Sequence, residues 1–204
     1  MHRLAAAAVV LAVAAAATAA AADEDPAFEK AKTNASPTDG LSTFLTKFVG
    51  TCTKESGPGC TKAVEEYRKQ TRGKKLYLSL DDGAAVLAIG DKGDSSGEFT
   101  LNVTPFFAGG EFALTAGAPS RTDAAGNPVM PLMRVSAKAP DGDVDRLARM
   151  LAAHQVRVEV VFTPEGTWSL SKKGGDTIQG VKAKLLALRV SMARTGETVA
   201  VWTR

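Results

Sequence analysis

Two cysteines are the residues of this chain best suited to chemistry, and they lie close together in the sequence. Cys52 and Cys60 are the only cysteines among the 204 residues, and the seven residues TKESGPG separate them. A metal site needs three or four ligands, but the only histidine outside the N-terminal apolar segment is His154. Redox-active pairs usually have only two intervening residues. We therefore predict a structural Cys52–Cys60 disulfide, with free or intermolecular thiols as the alternative.

Acidic side chains cluster in one glycine-rich loop. The segment DKGDSSGE, residues 91–98, places Asp91, Asp94 and Glu98 where their oxygen atoms could bind calcium. The spacing departs from the alternate-position pattern of calcium loops, and the same residue types are common in solvated hairpin loops. We keep these three carboxylates as a calcium candidate, but we assign the protein no metal and no other cofactor.

General acid–base catalysis has one natural candidate, His154, whose side chain ionises near neutral pH. Its place at the end of a predicted helix explains it equally well, because the carbonyl end of a helix favours a histidine donor. The chain contains no G-x-S-x-G elbow, no Walker-type loop and no dinucleotide fingerprint. We therefore predict that the protein is not an enzyme.

Four aromatic residues could line a pocket for an apolar ligand. Phe106 and Phe107 stand beside a glycine pair, and Trp168 and Trp202 occupy predicted strands. Aromatic side chains at alternating strand positions are also common in cores. An apolar pocket and an ordinary core both remain possible at these four positions.

Basic residues are concentrated toward the C-terminal end of the chain. Residues 164–204 carry seven lysines and arginines against three acidic residues. This pattern fits a solvated basic face, and it also fits binding of an anion or of a membrane surface. Elsewhere the two signs of charge are mixed and the formal net charge is only +3, so we predict no nucleic-acid partner.

The N-terminal residues indicate export. A short basic start, MHR, precedes an apolar alanine-rich run and a small-residue exit, which is the pattern of a secretory signal peptide. We place cleavage after Ala22, with Ala20 as the alternative, and expect a bacterial protein that is periplasmic or secreted. No second apolar stretch of this length follows, so no stable membrane span is expected after cleavage. Residues 23–36 are polar and without periodicity, and we predict a flexible tether there.

Helical periodicity marks residues 37–73. Apolar residues from Leu41 to Cys52 follow the spacing of one helix face, with Ser36 and Pro37 as a predicted start. A second helical pattern runs from Cys60, and a Gly-Pro-Gly turn separates the two. Each cysteine is predicted on the apolar face of its own helix. Folding of this hairpin would bring the two thiols together, which favours the disulfide in an oxidising compartment.

Alternating periodicity marks residues 74–204 as a β-rich body. We predict a hairpin of 76–80 with 86–89 through a turn at 81–83, and a second hairpin of 99–104 with 112–116. A strand at 128–138 is predicted to lie at an edge or to contain a bulge, because it includes two prolines. A crossover helix is predicted within 141–154. Further strands are predicted at 156–162, at 168–170 after a turn at 163–166, at 184–192 and at 199–201. Residues 178–185 fit a helix or a strand.

These elements predict an α+β fold in a single domain spanning residues 37–204. Its disulfide-linked helical hairpin (37–73) precedes a mostly antiparallel, curved sheet that forms a sandwich or a partial barrel. The function expected first is an exported, non-catalytic binding or interaction protein. One alternative is a carrier of a lipid or another apolar small molecule in the curved sheet, and a second is a hydrolase or isomerase using Asp, Glu and Lys. The expected partner is a protein or an apolar small molecule.

Overall fold

The computed structural model describes residues 25–80, 85–172 and 174–204. The predicted signal peptide, residues 1–22, lies outside this part of the chain, and within the described ranges no helix is long and apolar enough to cross a membrane. The helices are α1 (Pro26–Lys32), α2 (Leu41–Val49), α3 (Gly59–Thr71) and α4 (Val144–Ala152), with a 3₁₀ helix at Lys54–Ser56. The strands are β1 (Ser36–Pro37), β2 (Leu76–Leu80), β3 (Ala85–Lys92), β4 (Glu98–Gly109), β5 (Phe112–Ala116), β6 (Met133–Lys138), β7 (Val156–Ser171), β8 (Thr177–Met192) and β9 (Thr198–Thr203).

Five strands close into a barrel, which confirms the α+β class and extends the predicted curved sheet to a closed one. The order around the barrel is β8, β5, β4, β6 and β9, and β9 pairs again with β8. Strand β7 pairs with β8 along nearly its whole length and so occupies one edge of β8. Strands β5 and β9 therefore share the other edge, β5 along residues 179–183 and β9 along 187–191. The sheet is mostly antiparallel, with parallel pairs at β1–β2 and β5–β8.

The barrel interior is filled with side chains. Strand β4 alternates buried and half-buried residues along most of its length, as its sequence predicted, and its buried side chains point inward. The apolar face of α2 joins the same core, with Phe44 edge-on to Phe162 at a centroid distance of 5.4 Å. Apolar residues no more than 3% exposed form this core, among them Phe44, Leu45, Phe48, Leu101, Val103, Phe107, Leu114, Val135, Leu147, Val160, Phe162, Val181, Leu188 and Val190.

Strand pairing differs from the sequence prediction in three places. Strand β2 pairs with β7, and β3 pairs with β4, so the predicted hairpin of 76–80 with 86–89 does not form, while its turn at 81–83 lies outside the described residues. Strand β7 runs straight through the predicted turn at 163–166, with a register shift between Pro164 and Gly166. A bulge of this kind tolerates a proline, which cannot donate a ladder hydrogen bond. Strand β6 is not an edge strand, because it lies between β4 and β9 and begins only after both prolines.

The segment predicted as a flexible tether is folded in its described part. Helix α1 is capped by the Asp25 carboxylate, which accepts hydrogen bonds from the backbone N–H groups of Ala27 and Phe28 at 2.9 and 3.1 Å. Phe28 is fully buried against Val161 and Ala187, on the face of the sheet opposite the main core. One aromatic residue gives no periodicity to a polar segment, so the sequence did not indicate this docking.

The helical hairpin and its disulfide are present. Cys52 and Cys60 are bonded, with 5.8 Å between their Cα atoms. Two details differ from the prediction. Helix α2 begins only at Leu41, and Ser36 and Pro37, predicted as its start, form strand β1 instead. The helix ends at Val49, so Cys52 lies in the loop that follows it. Cys52 is exposed. The disulfide therefore ties the connecting loop to α3 and does not pack in the core.

Candidate functional site

A groove opens in the barrel where β8 changes partners. Strand β5 ends beside residue 183 of β8, and strand β9 ends beside residue 187. Both strands run toward this point, because β5 is parallel to β8 and β9 is antiparallel to it. Between them, residues 184–186 of β8 have no partner in either ladder, apart from one hydrogen bond from the Arg204 N–H to the Leu186 carbonyl at 3.0 Å. The wall of the barrel is therefore interrupted here.

The groove has an apolar floor and a cationic rim. We call it the Trp202 groove, because its largest lining side chain is the half-buried indole of Trp202, which packs against the main core. It has a volume of about 580 Å³. Its lining residues are Ala116, Gly117, Met133, Arg134, Glu165, Ala183, Lys184, Leu185, Trp202 and Arg204.

Two cations on the rim have no acidic partner among the residues that the structure describes. Glu165 is the one acidic side chain among the lining residues, and it forms an ion pair with Lys182 at 3.1 Å. Arg134 and Lys184 are both exposed, and neither makes an ion pair or side-chain hydrogen bond with the described part of the chain. A guanidinium and an ammonium beside an indole suit a ligand that carries both an anionic and an apolar part.

Only one of the four predicted pocket aromatics lies in this groove. Trp202 lines it, whereas Phe107 is fully buried in the main core. Phe106, the residue before Phe107 on β4, faces the other side of the sheet and pairs with Thr115. Trp168 is 7% exposed and pairs with Gly180 on β8. The alternation of β4 separates the two phenylalanines, so the four aromatic rings do not form a single pocket.

The calcium candidate residues do not assemble a metal site. Asp91 and Glu98 line a cleft of about 740 Å³ where β3, β4, β6 and β9 meet, while Asp94 lies in the intervening loop. Across residues 25–80, 85–172 and 174–204, no group of three or more His, Cys, Asp or Glu side chains is arranged to hold a metal ion. Lys92 from the same cleft forms an ion pair with Asp145 of α4 at 3.0 Å. The segment therefore serves to join β3 to β4 and α4.

His154 closes helix α4. It is exposed, its φ of 54° is left-handed, and its N–H donates to the Leu151 carbonyl at 3.1 Å. This is the geometry of a C-terminal helix cap. The position predicted from sequence therefore has a structural explanation that needs no catalytic role.

A buried charged network escaped the sequence prediction. Glu159 on β7 is 5% exposed and lies beneath α1. Its carboxylate accepts hydrogen bonds from the Tyr77 hydroxyl at 2.5 Å and from the Arg189 Nε at 2.6 Å. The Arg189 guanidinium also donates to Glu29 of α1 at 2.8 Å, and Lys32 lies 3.9 Å from Glu159. The available signal was Glu159 itself, a charge within the apolar strand VRVEVV.

The charged groups of this network are paired with one another. Burial raises the pKa of Glu159, but the hydrogen bonds from Arg189 and Tyr77 outweigh this effect and the pKa is lowered overall. Burial, reinforced by the bond to Glu159, raises the pKa of Tyr77 far above its ordinary value. Both side chains thus keep their ordinary protonation states at neutral pH. The network fixes α1 to the sheet, and the Trp202 groove is the better candidate for function.

Comparison with known proteins gives one match. No curated protein sequence matches this chain, and no solved structure matches it either. The model of one family, described as "Family of unknown function (DUF6066)", matches residues 1–204. Since the match covers the full 204 residues, the protein belongs to this DUF6066 family.

Proposed function

We propose that the protein is an exported, non-catalytic binding protein whose ligand site is the Trp202 groove. Its ligand carries an anionic group and an apolar part. The observation that supports this proposal best is the position of Arg134 and Lys184, two exposed cations without partners in the described chain, on the rim of a groove floored by Trp202. A cationic rim raises the local concentration of anions, and the indole supplies apolar contact area.

A filled core argues against the carrier alternative in its original form. That hypothesis placed an apolar ligand inside the curved sheet, but the inward side chains of the barrel, such as Leu101, Val103 and Leu188, are fully buried against one another. An apolar ligand would have to lie in the wall, at the groove. The enzyme alternative required several Asp, Glu and Lys side chains to converge in a cleft. Asp91, Lys92 and Glu98 do line the cleft between β3, β4, β6 and β9, with Lys92 paired to Asp145, so this cleft is where that alternative would place its site. The buried Glu159 cluster is internally paired.

Export is supported by two features of different kinds. The predicted signal peptide favours a location in the periplasm or outside the cell. The Cys52–Cys60 disulfide is the type of bond that persists in an oxidising compartment. An extracytoplasmic location would expose the groove to lipid surfaces and to small anionic solutes.

The proposed site can be tested with a simple amphiphile. We would titrate dodecyl phosphate, kept below its micellar concentration, into the protein and follow heat and tryptophan emission. Binding is expected to change the emission of the half-buried Trp202. The variant Arg134→Gln/Lys184→Gln should bind roughly tenfold or more weakly, because hydrogen bonds to charged groups contribute about 1.5 to 3 kcal/mol each.

A matched control separates the groove from net charge. Lys62 and Lys69 are exposed on α3, and Lys62→Gln/Lys69→Gln removes the same charge from outside the groove. This control should bind like the unmodified protein. Equal weakening by both double variants, or no binding of dodecyl phosphate at all, would refute the assignment of the groove.

A further inference from the structure

We propose that the Trp202 groove is the centre of a face that docks on anionic phospholipid bilayers. This inference rests on the proposed function, because it uses the same cationic rim and names the source of the anionic, apolar ligand. The added observation is Leu132, which is 59% exposed and is the one large hydrophobic side chain exposed to this degree within the described residues. Leu132 immediately precedes Met133, which lines the groove.

The loop that carries Leu132 begins and ends at the groove and contains internal hydrogen bonds. Residues 117–132 connect β5 to β6, and the residues flanking this connection, Ala116 and Met133, both line the groove. The Val129 N–H donates to the Arg121 carbonyl at 3.0 Å, and the Asp123 carboxylate accepts backbone hydrogen bonds within the loop. Such internal bonds reduce the entropy lost when the loop is pressed against a partner.

The chemistry of this face matches the interface of an anionic bilayer. Tryptophan side chains favour the headgroup level of a membrane, where the ring is in an apolar layer and its N–H stays hydrated. Arg134 and Lys184 would contact lipid phosphates, and Leu132 would enter the layer beneath them. Each basic residue close to an anionic bilayer strengthens the electrostatic attraction between the protein and that bilayer.

A bilayer explains the arrangement better than a single bound molecule does. The groove is open to solvent and the barrel behind it is filled with side chains, so neither encloses acyl chains. Leu132 is exposed on the connecting loop and is not among the residues that line the groove. A small molecule bound in the groove would not contact it, whereas an extended surface laid across the groove would. Charge complementarity therefore points to a bilayer of anionic lipid.

Vesicle binding by the full mature protein tests the inference. The probe is phosphatidylcholine vesicles with or without about 30 mol% phosphatidylglycerol, sedimented with the protein at salt concentrations from about 0.1 to about 1 M. We expect binding to the anionic vesicles that falls steeply with salt. Leu132→Ser and Arg134→Gln/Lys184→Gln should weaken it, the double variant by roughly thirtyfold, while Lys62→Gln/Lys69→Gln should remain within about twofold.

The position of the indole gives a readout beyond affinity. Lipids brominated near the headgroup should quench Trp202 in the variant Trp168→Phe, which retains one tryptophan, and circular dichroism would show that this variant is folded. If Trp168→Phe does not fold, quenching that is lost in Trp202→Phe gives the same information. An unquenched Trp202 in vesicle-bound protein would place the contact elsewhere and overturn the inference.

The two proposals fail in distinguishable ways. Binding of dodecyl phosphate without binding of anionic vesicles would leave the groove as a ligand site and overturn the bilayer inference. Equal binding to neutral and anionic vesicles would overturn it as well, because the cationic rim would then have no role. Failure of both probes would remove the proposed function together with the inference.

Discussion

The indole of Trp168 lies directly over Gly180 on the neighbouring strand. A Cβ atom at position 180 would come within 2.3 Å of the Ala113 carbonyl oxygen on β5, and within 2.5 Å of Cζ2 and 2.7 Å of Cε2 of this ring. The ring is nine-tenths buried and cannot move aside without opening the sheet, so the position requires glycine. We expect Gly180→Ala to lower the free energy of unfolding by about 1 to 3 kcal/mol, as overpacking usually does. Urea denaturation followed by circular dichroism measures this change.

Gly166 provides the matched control on β7. A Cβ atom there meets nothing within 4 Å, and its φ is not left-handed. Gly166→Ala should leave stability unchanged or raise it by about 0.4 to 1 kcal/mol, because alanine restricts the unfolded chain. A loss of similar size in both variants would show that the effect at position 180 is not caused by crowding against Ala113 and Trp168.

The barrel closes through a narrow seam between β6 and β9. These strands share only one registered pair, Ala137 with Ala200, whereas β7 and β8 are paired along some fifteen positions. Few ladder hydrogen bonds allow local opening at low free energy. We predict that amide hydrogens on the facing edges of β6 and β9 exchange faster than those in the centre of β7. Hydrogen exchange followed by mass spectrometry would test this, and equal protection of β6, β9 and the centre of β7 would contradict it.

The Glu159 network makes stability depend on pH in a defined direction. The pKa of Glu159 is lowered in the folded protein from an ordinary value of 4.5. Its contribution is therefore complete above about pH 4.5 and is lost as pH falls through the folded pKa. At neutral pH, Glu159→Gln should cost roughly 2 kcal/mol, because Arg189 loses its buried partner but retains Glu29. Denaturation midpoints at pH 7 and pH 3 should show the difference from the unmodified protein shrinking in acid.

Glu66 offers a control for this pH experiment. It is exposed on α3 and has no described ion pair, so Glu66→Gln should track the unmodified protein at both pH values. A stability difference for Glu159→Gln that stayed constant from pH 7 to pH 3 would contradict the assigned role of the carboxylate. Tyr77→Phe, which removes one hydrogen bond to the same carboxylate, should cost about 1 kcal/mol.

Local patterns in the sequence predicted most elements, and long-range contacts account for the differences. The apolar stripe from Leu41 to Val49 and the alternation of β4 each reflect burial of one face, which is visible within a short window. The pairing of β2 with β7 joins residues about eighty positions apart, and a nearby turn signal suggested a hairpin instead. The Trp202 groove arises because β5 and β9 share one edge of β8, which depends on topology and not on any motif.

The disulfide region should unfold separately from the barrel. Helix α3 has no buried residue, and its attachments include the Cys52–Cys60 bond and the Arg68 guanidinium, which donates to the carbonyls of Phe48 and Val49 at 2.6 and 2.5 Å. The chain-entropy estimate for so short a loop is about 2.5 kcal/mol. In Cys52→Ser/Cys60→Ser we therefore expect a loss of at most this size, with faster amide exchange confined to α3 and its connecting loop.

Arg68 tests whether α3 has a second anchor. In the protein with its disulfide intact, Arg68→Gln removes charge-assisted bonds to the C-terminal end of α2, and we expect a loss of about 1 to 2 kcal/mol. Combined with the cysteine variant, it should leave Tyr67, which packs against the main core with its ring centroid 6.5 Å from that of Phe44, as the principal remaining anchor of α3, so amide exchange in α3 should rise further. Hydrogen exchange in the triple variant then shows whether the helical hairpin unfolds alone or together with the barrel. If β7 and β8 lose protection together with α3, the hairpin belongs to the cooperative unit of the barrel. If they keep it, the hairpin is an independent unit attached at α2.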